Sequence, residues 1–167
     1  ARRRSVRAYE SAALTLNDLS QLCWAAQGVT DDKGRRTAPS GGAQYPIELY
    51  VAAGNVTGLA KGLYRYIPDG HSLELVKNGD VLPALAEAAL GQGSVKSAAF
   101  VFVMSAVWER ITDRYGERGK RYAIIEIGHI SQNVYLEAES LGLGTVAVGA
   151  FKDEDVKKVA GMADGED

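Results

Sequence analysis

Apolar residues change their spacing several times along this chain, and each change predicts an element. In "LTLNDLSQLCWAAQGV", Leu16, Leu19, Leu22, Cys23 and Ala26 recur at helical spacing. Thr15 followed by Asp18 makes a capping-box start for that helix, and Gly28 supplies its stop. "DDKGRRTAPSGGAQYP" is polar, glycine-rich and broken by proline, so it reads as a loop. "IELYVAA" reads as a strand, and "GLYRYIPDGHSLELV" as a hairpin turning at Pro68-Asp69-Gly70. "DVLPALAEAAL" predicts a short helix, while "AAFVFVMSAV", apolar on both faces, predicts a buried central strand. The longest helix is expected from about Arg121 to Leu141, then a strand at "TVAVGAF" and a last helix at "KDEDVKKVAG". No repeat or linker divides the chain, so residues 1–167 are expected to form one α+β domain.

The long helix is apolar nearly all round, through Ile124, Ile125, Ile127, Ile130, Val134 and Leu136, which predicts burial on most sides. Its polar positions Glu126, His129, Asn133, Glu137 and Ser140 step by three or four and so fall on one stripe, expected to be a solvated face. A helix this enclosed in a chain this short calls for a second subunit, and a homodimer is expected.

Composition narrows the function. A net charge of -2 argues against a general nucleic-acid or membrane-surface binder, so the basic cluster "RRRSVR" needs a local explanation. The single cysteine, Cys23, cannot form an internal disulfide, and Cys23-Trp24 on an amphipathic helix is expected in the core, with the thiol a small buried hydrophobe. No apolar run approaches the roughly 18 residues of a membrane span, and no signal-peptide pattern is visible, so a reducing cytoplasm is the expectation. The chain opens in a basic motif and stops soon after a helical pattern, and both ends look trimmed relative to a natural domain.

The phosphate-loop and dinucleotide glycine patterns are absent, as is a GxSxG nucleophile elbow. A metal centre is not expected, because His71, His129 and Cys23 are scattered. Two features remain. "RRRSVRAY" offers guanidinium forks and a hydroxyl suited to a phosphate monoester, or else a basic arm that solvates the terminus. "APSGGAQYP" places two adjacent glycines in a loop at an entropic cost, which suggests a close approach to the backbone.

Taken together, "RRSVRAY", "LTLNDLSQLCWAAQGVT", "RTAPSGGAQYPIELYV" and "GHISQNVYLEAESLGLGTVAVGAF" resemble the FMN-dependent nitroreductase family, from Arg3 to about Lys158. "PSGGAQYP" and "GHISQN" lie nearest its branch of peptide dehydrogenases that make thiazoles and oxazoles. The resemblance implies a mixed, mostly antiparallel sheet flanked by helices in an intertwined homodimer, with FMN at the interface; the family usually also carries a C-terminal segment past the last helix, which is not expected in residues 1–167. It implies that Arg3, Arg4, Ser5 and Arg7 hold the phosphate, the ribityl chain and the polar flavin edge. Pro39, Ser40, Gly41 and Gly42, with Gln44 beside them, would approach the partner's flavin. Gly149 and Ala150 would face flavin N5. Tyr122 is either a proton-transfer residue or a helix-start aromatic packed on the core, and His129 is expected to be structural.

The activity so implied is an FMN-dependent oxidoreductase carrying hydride from NAD(P)H to a small-molecule substrate, such as a nitroaromatic, quinone or enone. The alternatives are a peptide thiazoline/oxazoline dehydrogenase and a non-catalytic FMN-binding protein. A flavin-free interaction domain is disfavoured by the arginines.

Overall fold

The computed structural model describes residues 2–163 and 165–167. Its centre is a four-stranded antiparallel sheet of β2 (Ile47–Ala53), β4 (Gly62–Ile67), β5 (Ser72–Asn78) and β6 (Phe100–Ala106), in the order β5-β4-β2-β6. A two-stranded parallel pair, β1 (Leu14–Thr15) with β3 (Val56–Thr57), lies beside it. Six helices surround the strands: α1 (Leu16–Gln27), α2 (Leu82–Ala88), α3 (Gly93–Lys96), α4 (Glu109–Tyr115), α5 (Arg118–Ser140) and α6 (Asp153–Ala160).

Local sequence explains most of these boundaries. The Thr15 hydroxyl accepts from Asp18 N–H at 3.1 Å while the Asp18 carboxylate accepts from Thr15 N–H at 2.9 Å, so both halves of the capping box form. β2 occupies the predicted "IELYVAA", and the β4–β5 hairpin turns where expected, with Gly70 at φ +83°. The pleat of β2 splits the core in two. Ile47, Leu49, Val51 and Ala53 pack with Leu19, Cys23, Ala123 and Ile130 of α1 and α5, while Tyr50 and Ala52 pack with Leu82 and Leu85 of α2.

Five expectations need correction, the last being the core position of Trp24. β6 ends the four-stranded order, its other side meeting the chain's C-terminal residues where Ala106 exchanges backbone hydrogen bonds with Asp167, so it is an edge strand and not a central one; its Phe100, Phe102 and Met104 are only half-buried because they border a cavity. "TVAVGAF" forms no strand: Thr145 gives its carbonyl to Val6 N–H at 3.0 Å and Ala147 gives its N–H to the Tyr135 hydroxyl at 2.8 Å, leaving no ladder. α5 is not buried on most sides, since Ile124, Ile125 and Leu136 remain 63%, 48% and 53% exposed in the single chain. Nor is its polar stripe uniformly solvated, because Glu126 is buried among α1, α5 and the loop before β2. Cys23 is buried as expected, whereas its neighbour Trp24 is exposed.

Candidate functional site

Tyr135, which sequence reasoning did not single out, organises one end of α5. Its hydroxyl lies 3.0 Å from Ser5 Oγ and accepts from Ala147 N–H, so one side chain ties the N-terminal arm to residues 145–150. The Arg3 guanidinium sits 4.9 Å from the centre of the Tyr135 ring, a cation–π geometry. Val6 packs so closely against Gly144 that a Cβ there would come within 2.8 Å of Val6 Cγ1. Arg2 pairs with Glu139 one turn further along α5, at 3.0 Å. Tyr9 is half-buried beside this cluster, and burial, then Tyr135, pushes its hydroxyl pKa up.

The arm and the 145–150 segment border a cavity of about 1200 Å³, lined by Val6, Tyr9, Phe102, Trp108, Ile127 and Gly149 among others. Arg4, Ser5 and Arg7 are exposed and alternate with or precede the lining residues Val6 and Ala8, while Gly149 is exposed on the cavity wall and Ala150 is exposed next to it. The Ala150 carbonyl accepts from Gln92 Nε2 at 2.9 Å, which fixes that stretch against α3.

Pro39, Ser40, Gly41, Gly42 and Gln44 form a second group. Gly41–Ala43 is a 3₁₀ turn, closed by Ala43 N–H to the Ser40 carbonyl at 3.1 Å. Ser40 Oγ accepts from Tyr45 N–H at 2.9 Å, and Gln44 Nε2 donates to the Gly42 carbonyl at 2.7 Å. Gly42, Ala43 and Tyr45 all have positive φ, at 60°, 54° and 46°, so the turn is held in a conformation its residues would not choose alone. The close neighbours of the glycines belong to the same chain: a Cβ on Gly41 would lie 3.4 Å from Tyr122 Cβ. Tyr122 meets Tyr115 edge to face at 5.2 Å and accepts from Arg118 Nε at 2.9 Å.

The two groups are not brought together within one chain. The turn rests on α5 at Tyr122 and the arm at Tyr135, thirteen residues apart, or about 20 Å along a helix rising 1.5 Å per residue. Among the described residues, no group of three or more His, Cys, Asp or Glu is placed to hold a metal, and no helix is long and apolar enough to cross a membrane. His129 is exposed on α5, and His71 is held between Ser20 Oγ and Tyr66 Oη at 2.7 Å each.

Behind the glycine turn lies a buried polar cluster that sequence reasoning also missed. Arg36 Nη1 donates to Gln27 Oε1 at 3.1 Å, and its guanidinium covers the Tyr45 ring at 4.6 Å. Glu126 lies beside them with no hydrogen bond to either carboxyl oxygen, although Ser40 and Gln27 are near enough to act on it. Burial raises its pKa above the ordinary carboxylate range, against the opposing pull of Ser40, Arg36, Gln27 and His129.

The nitroreductase family model matches residues 1–167. The chain is 49% identical over 158 residues to the protein named "Putative nitroreductase MJ1384" of Methanocaldococcus jannaschii, covering 95% of this chain and 80% of that protein. It is 29% identical over 133 residues to the microcin B17-processing protein McbC of Escherichia coli, covering 77% of this chain and 49% of McbC. The crystal structure of a "putative nitroreductase" from Anabaena variabilis superposes with a TM-score of 0.86 at 30% identity, over 99% of this chain and 34% of that one. The chain therefore spans most of MJ1384, half of McbC and a third of the Anabaena protein.

Proposed function

The chain belongs to the nitroreductase family, and on that premise we infer that it is an FMN-dependent oxidoreductase acting as a homodimer. The observation that carries this reading is the separation of the arm from the glycine turn on α5. Two half-sites about 20 Å apart on one helix can serve a single ligand when a second copy supplies the missing half. The exposed Ile124, Ile125 and Leu136 give that copy an apolar surface to cover.

The residues fit the cofactor. Arg3, Arg4 and Arg7 with Ser5 would supply donors for a dianionic phosphate, on the arm whose Val6, Ala8 and Tyr9 line a cavity large enough for a ring system. A side chain at Gly149 would meet no protein atom, so this wall leaves room for a flat group. Held there, the cofactor would supply hydride acceptance and return at flavin N5, so that one pocket could serve NAD(P)H and an organic acceptor in turn. The chain's own tasks are to hold the phosphate, to set the pocket walls through Tyr135, and to offer the glycine turn to the partner. A guanidinium at the polar flavin edge, the place assigned to Arg7, favours negative charge on the ring. Tyr122 is engaged with Arg118 and packed against Gly41 and Tyr115, which favours packing over proton transfer.

Purified protein supplied with FMN tests this. Retention near one FMN per chain, with bleaching under anaerobic NADH or NADPH, supports the reading; protein that takes up no FMN overturns it. The likeness to McbC and to the trifolitoxin-processing protein TfxB of Rhizobium leguminosarum supports a second reading, oxidation of thiazoline or oxazoline rings in a peptide. Bound FMN that resists both nicotinamides yet is reduced by an azoline peptide would favour it.

A further inference from the structure

We propose that Glu126 is a proton-bearing positioning residue that seats the Pro39–Gln44 turn on α5, so that loss of its proton releases the turn.

Tyr122 and Glu126 are one turn apart on α5 and share a face. Tyr122 carries Gly41, and Glu126 lies near Ser40. The turn therefore rests on an aromatic ring and a carboxyl side by side. Glu126 is 1% exposed, Gln27 beside it is 1% exposed, and Ala38 at the root of the turn is fully buried. The loop is closed on itself around them: Thr37 N–H donates to the Gly28 carbonyl at 2.9 Å, and Arg36 N–H to the Tyr45 hydroxyl at 3.1 Å.

A buried carboxylate needs a compensating cation or several donors. Arg36 is the cation facing Glu126 from the loop, yet its guanidinium bonds the neutral Gln27 amide and makes no ion pair within 4.0 Å. Arg36 is itself partly desolvated and faces Glu48 and Arg110, which form their own ion pair. On α5 the nearby titratable group is His129, one turn on and exposed. Neither oxygen has a hydrogen-bond partner, and burial outweighs the opposing pull of Ser40, Arg36 and the Gln27 amide, whose Nε2 is itself unpartnered, so the neutral acid is the form this enclosure favours. As an acid it can also donate, and Ser40 and Gln27 both carry an oxygen that can accept.

Because the native site favours the proton, its stabilising effect is complete in acid and is lost as pH rises through the raised native pKa. The cheapest way to hydrate the ionised group is to open the loop, which covers it. Opening then releases one proton, so the population of the open loop should grow roughly tenfold per pH unit above that point.

Amide exchange of residues 37–46, corrected for its intrinsic pH dependence and followed from about pH 5 to about pH 9, reads this without any ligand. Wild-type protection should fall with that slope, while Glu126→Gln, neutral at every pH, should keep acid-like protection throughout. A flat wild-type profile, or the same slope in Glu126→Gln, overturns the proposal. If Glu126→Gln does not fold, the carbon-13 shift of the wild-type Glu126 carboxyl decides: titration in the ordinary carboxylate range refutes it, and titration above that range together with the loop supports it. The consequence for cofactor retention rests on the functional reading above, and FMN dissociation measured on the same samples keeps the two apart. Protein that never takes FMN but opens its loop with pH refutes the function and leaves this inference standing.

Discussion

Gly42 and Tyr115 fit each other at the glycine turn: Gly42 has φ +60°, and a Cβ there would lie 2.4 Å from the Tyr115 hydroxyl oxygen. Gly42→Ala therefore meets two penalties. The left-handed backbone opposes a side chain by about 1 to 2 kcal/mol, whereas the clash falls on the end of a side chain that can rotate. Urea unfolding should show a loss of about that backbone value. Adding Tyr115→Phe, which removes the oxygen, should recover only a minor part of it. Full recovery in the double variant would mean that the contact, and not the backbone, dictates glycine here.

Tyr135→Phe keeps the ring beneath Arg3 but removes the hydroxyl shared by Ser5 and Ala147. Losing two such bonds should destabilise the docked arm by about 1 to 3 kcal/mol, and amide exchange at residues 3–8 and 145–150 should accelerate together. On the functional reading, FMN affinity should weaken roughly tenfold or more, since each 1.4 kcal/mol is a factor of ten. Unchanged exchange in both segments would show that Tyr135 does not tie them.

Much of the fold was legible because it is written locally. The capping box at Thr15 and Asp18, the β2 heptapeptide and the turn at Gly70 depend on neighbours within a few residues. The candidate residues were legible through a resemblance, but their division into two distant groups was not, because it depends on where α5 carries each of them. Tyr135 and Glu126 escaped for related reasons. A tyrosine on a helix looks like packing until its hydroxyl partners are known, and a glutamate in a polar stripe looks solvated until Gln27, Ala38 and Ser40 close over it. The alternating apolar residues of "TVAVGAF" suggested a strand, but neither Thr145 nor Ala147 gives its backbone to a ladder.

The exposed apolar face of α5 should mediate self-association. Ile124→Asp combined with Ile125→Asp changes surface positions in the isolated chain, where substitutions typically alter stability by within about 0.5 kcal/mol. In a dimer the same carboxylates would be buried without partners. Sedimentation velocity should show a homodimer for the parent and a monomer for the double variant, with the melting temperature of the parent alone rising with protein concentration. A parent that sediments as a monomer at high concentration would remove the dimer from the functional reading.

Cys23 should be chemically silent in the native protein and should couple stability to alkaline pH. Burial pushes its thiol up to about 12, from an ordinary value of 9.0. Near pH 8 that leaves roughly one thiolate in ten thousand, so labelling by a disulfide reagent should follow the unfolding rate, and urea should make it fast. The folded-state pKa is raised, so the associated stabilisation is complete below about 9 and drains away as pH climbs toward about 12. Tyr66 is pushed up to about 12 by its own burial and by Cys23, so two groups share this interval. Cys23→Ala should therefore reduce, without abolishing, the loss of unfolding free energy between neutral and strongly alkaline pH. Rapid native labelling, or an alkaline slope that Cys23→Ala leaves untouched, would show that the thiol is not enclosed in the core.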